Sequence, residues 1–431
     1  MLLTVVRPGL RDTAAMGPDR KATVVIIGGG HNGLAMSKQL SDRGIDHVVL
    51  EKGEVANSWR SQRWDSFTLL TPNWQARLPG KEYAGDDPDG FMTGAQLIEF
   101  LEGYAGGVAA PVHEGTRVTA IRSVGEGHYD VSTDQGSWRC RSVVLASGAC
   151  NLPSVPEFSD EVPEDVEAVS PLDYRNPDQL PGGGVLVVGG AATGVQLAEE
   201  IHASGRPVTL SVGEHVRMPR TYRGRDIQHW MEAIGRLDER YDEVEDILKA
   251  RKVASPQLVG TPDRRTLDLN ELTAQGVQLR GRLGVVRDGV AMFSGGLRNH
   301  CALADQKLGR LLDEIDGWIV QAGVDGDVTE PHRPEPTHVP EKLPLTLDLA
   351  RGEVKAVVWA TGFRPDFSWL ELPVFDSAGR LRHDGGIVDA PGVYMLGATF
   401  LRRRRSSFIH GSTVDTEDLA NHLAGYLAAP A

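Results

Sequence analysis

The chain has 431 residues, of which 40% are hydrophobic and 24% charged, with a formal charge of −14, the composition of an ordinary globular protein of two or three domains. The acidic balance excludes a nucleic-acid footprint and disfavours anionic membrane surfaces, and no apolar run approaches the ~18 residues of a membrane span. Three cysteines, Cys140, Cys150 and Cys301, form no CxxC or metal-ligand spacing and read as small buried hydrophobes.

Residues 1–20 hold only the short apolar block Leu2–Val6, interrupted by Arg7 and Pro8, which is too short for a secretory signal. They are expected to be a disordered extension, with Met16 as an alternative start and a cytoplasmic location by default. Thr23–Ile27 is a continuous apolar run, as a parallel strand buried on both faces requires. Gly28-Gly29-Gly30-His31-Asn32-Gly33 follows directly, then a stretch of helical spacing through Leu34, Met36 and Leu40 that ends near Gly44. A second strand, His47–Leu50, closes on Glu51. Residues 117–139 alternate around turns at 125–127 and 134–136 and predict a β-meander. Val143–Leu145 then stops in the small-residue turn Ala146-Ser147-Gly148.

The same grammar returns further along. Val185–Val188 runs into Gly189-Gly190-Ala191-Ala192-Thr193-Gly194, a helical stretch ending at Gly205, and the strand Val208–Val212. Residues 277–293 predict a second meander turning at Asp288-Gly289, and 299–320 predict a scaffold helix. Residues 324–345, rich in Pro, Glu and Asp, read as a loop, and Val357–Trp359 stops in Ala360-Thr361-Gly362, the partner of the turn at Ala146.

Gly28, Gly30 and Gly33 supply a tight turn, a bare backbone beside a pyrophosphate and close helix–strand packing. The helix N-terminus then meets the phosphate charge. Glu51 stands 18 residues after Gly33 at a strand end, where a carboxylate accepts both ribose hydroxyls. In the second copy Ala191 replaces the middle glycine, to be tolerated by a small backbone shift, and Ser211 is taken as the strand end. Arg217 and Arg220 lie beyond it, beside Arg223 and Arg225. A hydroxyl with guanidinium forks suits a 2′-phosphate. The first site is therefore expected to hold FAD and the second NADPH. With no cysteine pair to receive electrons, the acceptor is dioxygen, a small molecule or a protein.

Val49-Leu50-Glu51-Lys52, Asn57-Ser58-Trp59-Arg60, Leu69-Leu70-Thr71-Pro72-Asn73-Trp74, Leu78-Pro79-Gly80 and Ala360-Thr361-Gly362-Phe363-Arg364-Pro365 together resemble the class B flavoprotein monooxygenases, the flavin-containing monooxygenases and their plant YUCCA-type relatives. The resemblance spans roughly residues 21–427 and is specific in the nucleotide motifs. It implies an α/β fold of two Rossmann-like domains, each with a β-meander, the NADPH domain inserted into the FAD domain. The boundaries expected are 21–151 and 366–431 for FAD and 152–365 for NADPH, with a helical insertion at about 221–345. It further implies that His31, Asn32, Lys52, Ser58, Ala146 and Gly148 belong to the FAD site, with Trp59 packed near the flavin and Val118 meeting the adenine through its backbone. Gly189, Thr193, Gly194, Ala360, Thr361 and Gly362 fall to the second site. Asn73 and His410 are the catalytic candidates, Asn73 with an alternative as a turn residue, and Arg402–Arg405 is expected to be a solvated basic face. The family's FxGxxxH motif is degenerate here, with Ser170 where the histidine would stand. The expected activity transfers one oxygen atom of O2 to a small organic substrate, at a nucleophilic nitrogen or sulfur. The alternatives are an NADPH oxidase or reductase and a non-catalytic flavin-binding sensor. A small-molecule substrate and O2 are the expected partners, without nucleic acid or membrane, and a homodimer is the candidate assembly.

Overall fold

The computed structural model describes residues 20–125 and 127–429, so the expectation for residues 1–20 falls, Arg20 apart, outside the described residues. Its first half sets out β1 (Val24–Ile27), α1 (His31–Asp42), β2 (His47–Leu50), α2 (Gly94–Gly107), β3 (Val112–His113) and β4 (Ser142–Leu145). There follow β5 (Glu167–Val169), β6 (Gly184–Val188), α3 (Ala192–Ala203), β7 (Val208–Ser211), β8 (Gln278–Arg280) and α4 (Leu297–Ala322). The chain closes with β9 (Val354–Trp359), β10 (Val393–Met395) and α5 (Gly411–Ala428).

Two parallel sheets result. The first runs β10-β4-β1-β2-β3, with the short strands Ile387–Val388 and His383–Asp384 added antiparallel beyond β10. The second runs β5-β9-β6-β7-β8, parallel throughout. In each, the strand that leads into the glycine turn is central, with the next strand on one side and the late Ala-Ser/Thr-Gly strand on the other.

Strand alternation sends successive side chains to opposite faces, and both faces are buried. Val24 and Ile26 pack with Met36, Leu40, Leu419 and Leu423 of α1 and α5. Val25 and Ile27 pack with Val131 and Trp138 of the meander Val118–Gly125, His128–Thr133 and Gly136–Cys140. The second sheet repeats this layering. Val185 and Val187 face Val195 and Ile201 of α3, while Leu186 and Val188 face Val286 and Phe293 of the hairpin Leu283–Arg287/Val290–Phe293. Burying each such side chain contributes about 1.5–3 kcal/mol, which is why these runs become central strands.

The expected second meander is partly redistributed: Gln278–Arg280 joins the main sheet as β8, and Thr346–Asp348 supplies the hairpin's third strand. The stretch 221–345 is correspondingly not an all-helical insertion. It holds β8 and that hairpin beside Ile227–Ala233, Leu269–Gln275 and α4. In α4, Leu308, Leu312, Ile315 and Ile319 form the buried stripe, whereas Leu303 faces solvent.

The chain crosses twice between the two sheets, and the crossings pair with each other. Leu152–Pro153 lies antiparallel to Phe363–Arg364. Asn151 N donates to Arg364 O at 3.2 Å, Ser154 N to Gly362 O at 2.9 Å, and Thr361 Oγ1 to Ser154 O at 2.6 Å. Among the described residues no helix is long and apolar enough to cross a membrane.

Candidate functional site

At the C-terminal ends of β1 and β6 the chain turns twice in the same way. Gly28 (φ 113°) and Gly189 (φ 125°) take backbone conformations that favour glycine. A Cβ there would lie 2.4 Å from Ala146 O and 2.2 Å from Ala360 O respectively. Gly33 and Gly194 admit no side chain either, because a Cβ would meet the carbonyl oxygens of Gly28 and Gly189 at 1.9 and 1.8 Å. The middle position differs. Gly30 is the N-cap of α1 (φ −84°, ψ −178°), and a Cβ on it would touch nothing within 4 Å. Ala191 is the N-cap of α3 with φ −84° and ψ −177°. The expected backbone shift at Ala191 is therefore absent, since an alanine adopts this extended conformation without strain.

Each turn is braced from outside. Ala56 N donates to Gly29 O at 3.1 Å in the first, and the buried Gln257 side chain donates through Nε2 to Gly190 O at 2.8 Å in the second. Glu51 is buried, with Oε2 accepting from Gly29 N at 2.7 Å and Oε1 from Gly53 N at 3.1 Å. Both oxygens are thereby held at the rim of the first turn with acceptor capacity left. Thr116 N donates to Glu51 O at 2.8 Å, two residues before Val118, which starts the meander and pairs with Thr133. Asn32 is buried and packs where a Cβ at Gly397 would stand, 2.5 Å from its Nδ2. That Nδ2 lies 2.8 Å from His31 Nε2. Burial holds the His31 imidazole neutral, at about 4.

Lys52 is exposed, Ser58 is half-buried on the short helix Asn57–Ser61, and Trp59 packs on Phe67 with the Arg63 guanidinium 4.7 Å from its ring centroid. Gly148 (φ 86°) borders open space, and Gly362 (φ 103°) repeats that conformation in the second copy. Thr193, half-buried, sits in the first turn of α3.

Three expectations at the second turn are corrected. Gly28 N bonds Leu50 O and Gly189 N bonds Ser211 O, so the position equivalent to Glu51 is Val212 rather than Ser211. Ser211 spends its hydroxyl inside the sheet, donating to Gly281 O at 3.0 Å and accepting from Leu283 N at 2.9 Å. Arg217 and Arg220 are not offered to a phosphate. Arg217 is buried between Asp268 and Asp305, each at 2.7 Å, and Arg220 pairs with Asp226 at 2.8 Å while donating to Leu70 O. Arg223 is likewise buried against Asp316 and Asp325. Buried cations persist only when paired, and this run of arginines ties 221–345 together. The cations beside the second turn are instead Arg280 and Arg282. The Arg282 chain would lie 3.5 Å from a Cβ on Gly213, the residue after Val212, and among the described residues neither arginine pairs with a carboxylate.

Both catalytic candidates are buried. Asn73 is buried in the turn Asn73–Gln75, its Nδ2 donating to Asp87 O at 2.9 Å and its Oδ1 unpartnered. His410, 3% exposed, caps α5 and lines a cavity with Arg77, Glu232, Arg405 and Thr413. Burial, reinforced by Arg405 and Arg77, holds it neutral, at about 3. The run Arg402–Arg405 is not a solvated face: it pairs with Asp418, Asp415, Glu239 and Asp238. Ser170 donates to Asp173 Oδ2 at 2.6 Å and closes a local turn. Burial pushes the Cys140 thiol up to about 12 and the Cys301 thiol to about 11, and raises Cys150 too. Neither buried thiol is a nucleophile at neutral pH.

A family model described as "Pyridine nucleotide-disulphide oxidoreductase" matches residues 25–256. An uncharacterized CzcO-like oxidoreductase of Geobacillus kaustophilus is 28% identical over 408 residues, covering 94% of this chain and 98% of the relative. The indole-3-pyruvate monooxygenase YUCCA6 of Arabidopsis thaliana is 30% identical over 215 residues, 46% of this chain and 50% of that protein. The flavin-containing monooxygenase from Stenotrophomonas maltophilia shares the fold with a TM-score of 0.67 at 19% identity, over 95% of this chain and 100% of that one.

Proposed function

The chain belongs to the pyridine nucleotide-disulphide oxidoreductase family, and from that membership we propose that it is an FAD-dependent, NADPH-consuming monooxygenase. It is an oxidoreductase built for a flavin and a nicotinamide cofactor, and its likeness within the family runs to the class B flavoprotein monooxygenases. The proposal adds the identity of both cofactors and the fate of the electrons: one oxygen atom of O2 goes to a nucleophilic nitrogen or sulfur of a small substrate.

The observation that carries it is the doubled turn, two phosphate cradles of matching geometry on one chain, combined with thiols that burial keeps protonated. The residues fit the groups. Open space at Gly30 leaves room for a pyrophosphate against bare backbone, and the α1 N-terminus has no side-chain cap. Glu51, held at the rim of the first turn by Gly29 N and Gly53 N, would receive ribose hydroxyls there, which supports the FAD nucleotide in the first cradle. At the second, Val212 offers no carboxylate to repel a 2′-phosphate, and Arg282, with Arg280, is the cation that would receive it. Those two arginines replace Arg217 and Arg220 in that role.

When bound, the two cofactors supply hydride transfer and dioxygen activation. The chain's own contribution is positional. Trp59 packs at a tilt on Phe67 with the Arg63 guanidinium over both rings, and the Asn73 Oδ1 is an unpartnered acceptor. Division into an FAD domain (21–151 and 366–431) and an NADPH domain (152–365) belongs to the same proposal.

The test is anaerobic reduction followed by oxygen. NADPH should bleach the protein-bound flavin far faster than NADH does, and oxygen isotope supplied as labelled O2 should appear in an amine or thioether substrate. Protein that takes up no FAD, or flavin that NADPH leaves oxidised, would defeat the proposal. Ser170 at the degenerate motif favours a second reading, an NADPH oxidase, which the same experiment identifies by stoichiometric peroxide without labelled product.

A further inference from the structure

A short buried strip of chain, Gln257–Gly260, braces the second cradle at one end and sits on the core under the first cradle at the other. Gln257 has no exposed surface, and its Nε2 donates to Gly190 O at 2.8 Å, in the glycine turn itself. One residue on, Leu258 O accepts from Gln196 Nε2 of α3 at 2.8 Å. Val259 packs in one core cluster with Val195 and Leu197 of the same helix. Turn, helix and strip are therefore a single packed unit.

Gly260 meets the segment Thr68–Leu70. Thr68 Oγ1 donates to Gly260 O at 2.7 Å, and a Cβ on Gly260 would stand 2.1 Å from Leu69 O and 2.8 Å from Phe91 Cγ. The two backbones come this close because Gly260 carries no side chain. The buried Arg220 guanidinium ties both partners, donating to Leu70 O at 2.8 Å and to Val259 O at 3.4 Å. Leu69 in turn packs with Leu34 and Ala35 of α1 and with Ala56, the residue whose N–H braces Gly29 O. The strip thus reaches from one glycine turn to the core that supports the other. Close-packed interiors transmit a displacement rather than absorb it.

We propose that Gln257–Gly260 is the spacer that sets the separation of the two cradles. Gln257 and Gly260 are its positioning residues. Gln257 fixes the second turn to the strip, and Gly260 fixes how closely the strip approaches the core beneath the first. The role deepens the two-cofactor reading and rests on it, since hydride transfer needs the nicotinamide delivered to the flavin at one distance. Relieving the contact of Gly260→Ala with Leu69 O takes a shift of about 1 Å, a misplacement that costs on the order of 100-fold in rate.

The test separates filling the second cradle from delivering its contents. Titration calorimetry of the flavin-loaded protein with 2′-phospho-ADP-ribose, which lacks the nicotinamide, measures the first. Anaerobic flavin reduction by NADPH, with the charge-transfer absorbance of nicotinamide against flavin, measures the second. Gly260→Ala should bind 2′-phospho-ADP-ribose as the parent does, yet reduce its flavin roughly 100-fold more slowly with a diminished charge-transfer band. Thr68→Val removes one hydroxyl at nearly constant shape and serves if Gly260→Ala does not fold; it should show the same split at roughly three- to tenfold. Gln257→Met removes the donor to Gly190 O and should weaken 2′-phospho-ADP-ribose by roughly three- to tenfold. Parent-like reduction and band in the Gly260 and Thr68 variants, a loss of affinity in them equal to the loss of rate, or parent-like binding by Gln257→Met overturns the spacer. Flavin that NADPH leaves oxidised in the parent protein instead defeats the two-cofactor reading beneath it.

Discussion

Alanine at Gly30 and at Gly33 should have opposite consequences, although the two glycines are three residues apart in one motif. At Gly33 the added methyl would stand 1.9 Å from the Gly28 carbonyl oxygen. Relief requires the turn itself to open by more than 1 Å, beyond the ~1–3 kcal/mol of ordinary overpacking, so Gly33→Ala should cost about 3 kcal/mol or more of stability without any cofactor. At Gly30 the backbone is extended and nothing lies within 4 Å of the methyl. Gly30→Ala should stabilise the flavin-free protein by about 0.4–1 kcal/mol, through the lost freedom of the unfolded chain. Its effect should appear only when FAD is added, because the methyl stands where the pyrophosphate approaches. Losing one or two charged hydrogen bonds there weakens binding by about 1.5–3 kcal/mol. Urea titration of the apoprotein gives the first quantity and quenching of FAD fluorescence on binding the second. A Gly30→Ala protein with unaltered FAD affinity would refute the assignment of the first cradle. An apoprotein unperturbed by Gly33→Ala would refute the packing argument.

Arg217→Ala should destabilise the fold by about 3–5 kcal/mol, since it strands Asp268 and Asp305. Arg282→Ala should leave stability within ~0.5 kcal/mol and raise KM for NADPH at least tenfold while sparing NADH; steady-state kinetics at fixed ionic strength and urea midpoints separate the two arginines, and equal losses for both nucleotides would remove Arg282 from the phosphate site. Acid should unfold the protein early. Burial lowers His31 and His383 to about 4 and His410 to about 3, from 6.5. Between those values and pH 6.5 the unfolded chain binds more protons, so the contribution is complete above pH 6.5 and is lost as pH falls, by up to about 1.4 kcal/mol per pH unit for each histidine. His410→Asn should flatten that decline between pH 6.5 and 5 in urea midpoints, and an unchanged slope would contradict it.

The cradles were legible because everything that makes them is local: an apolar run, three glycines at fixed offsets, a helix. Glu51 was legible by its offset, and the same 18-residue interval counted from Gly194 leads to Val212. The arginines misled for a physical reason. A guanidinium is free or spent according to whether a carboxylate reaches it, and those that reach Arg217 come from Asp268 and Asp305 on other elements. Gln257 under Gly190 and Gly397 beside Asn32 are contacts of the same long-range sort. The cavity at His410 was not legible because its walls come from three segments far apart in the chain, around Arg77, Glu232 and His410, which only the fold brings together.

The paired crossings Leu152–Pro153 and Phe363–Arg364 make a two-ply strap joining the halves of the molecule. Sliding one half past the other would tear the strap's bonds at Asn151, Ser154 and Thr361, whereas swinging about it would leave them whole. Such a joint resists shear, and the two halves are fastened again at a distance from it, where Arg77 pairs with Glu232 at 2.7 Å, Arg220 donates to Leu70 O at 2.8 Å and Thr68 donates to Gly260 O at 2.7 Å.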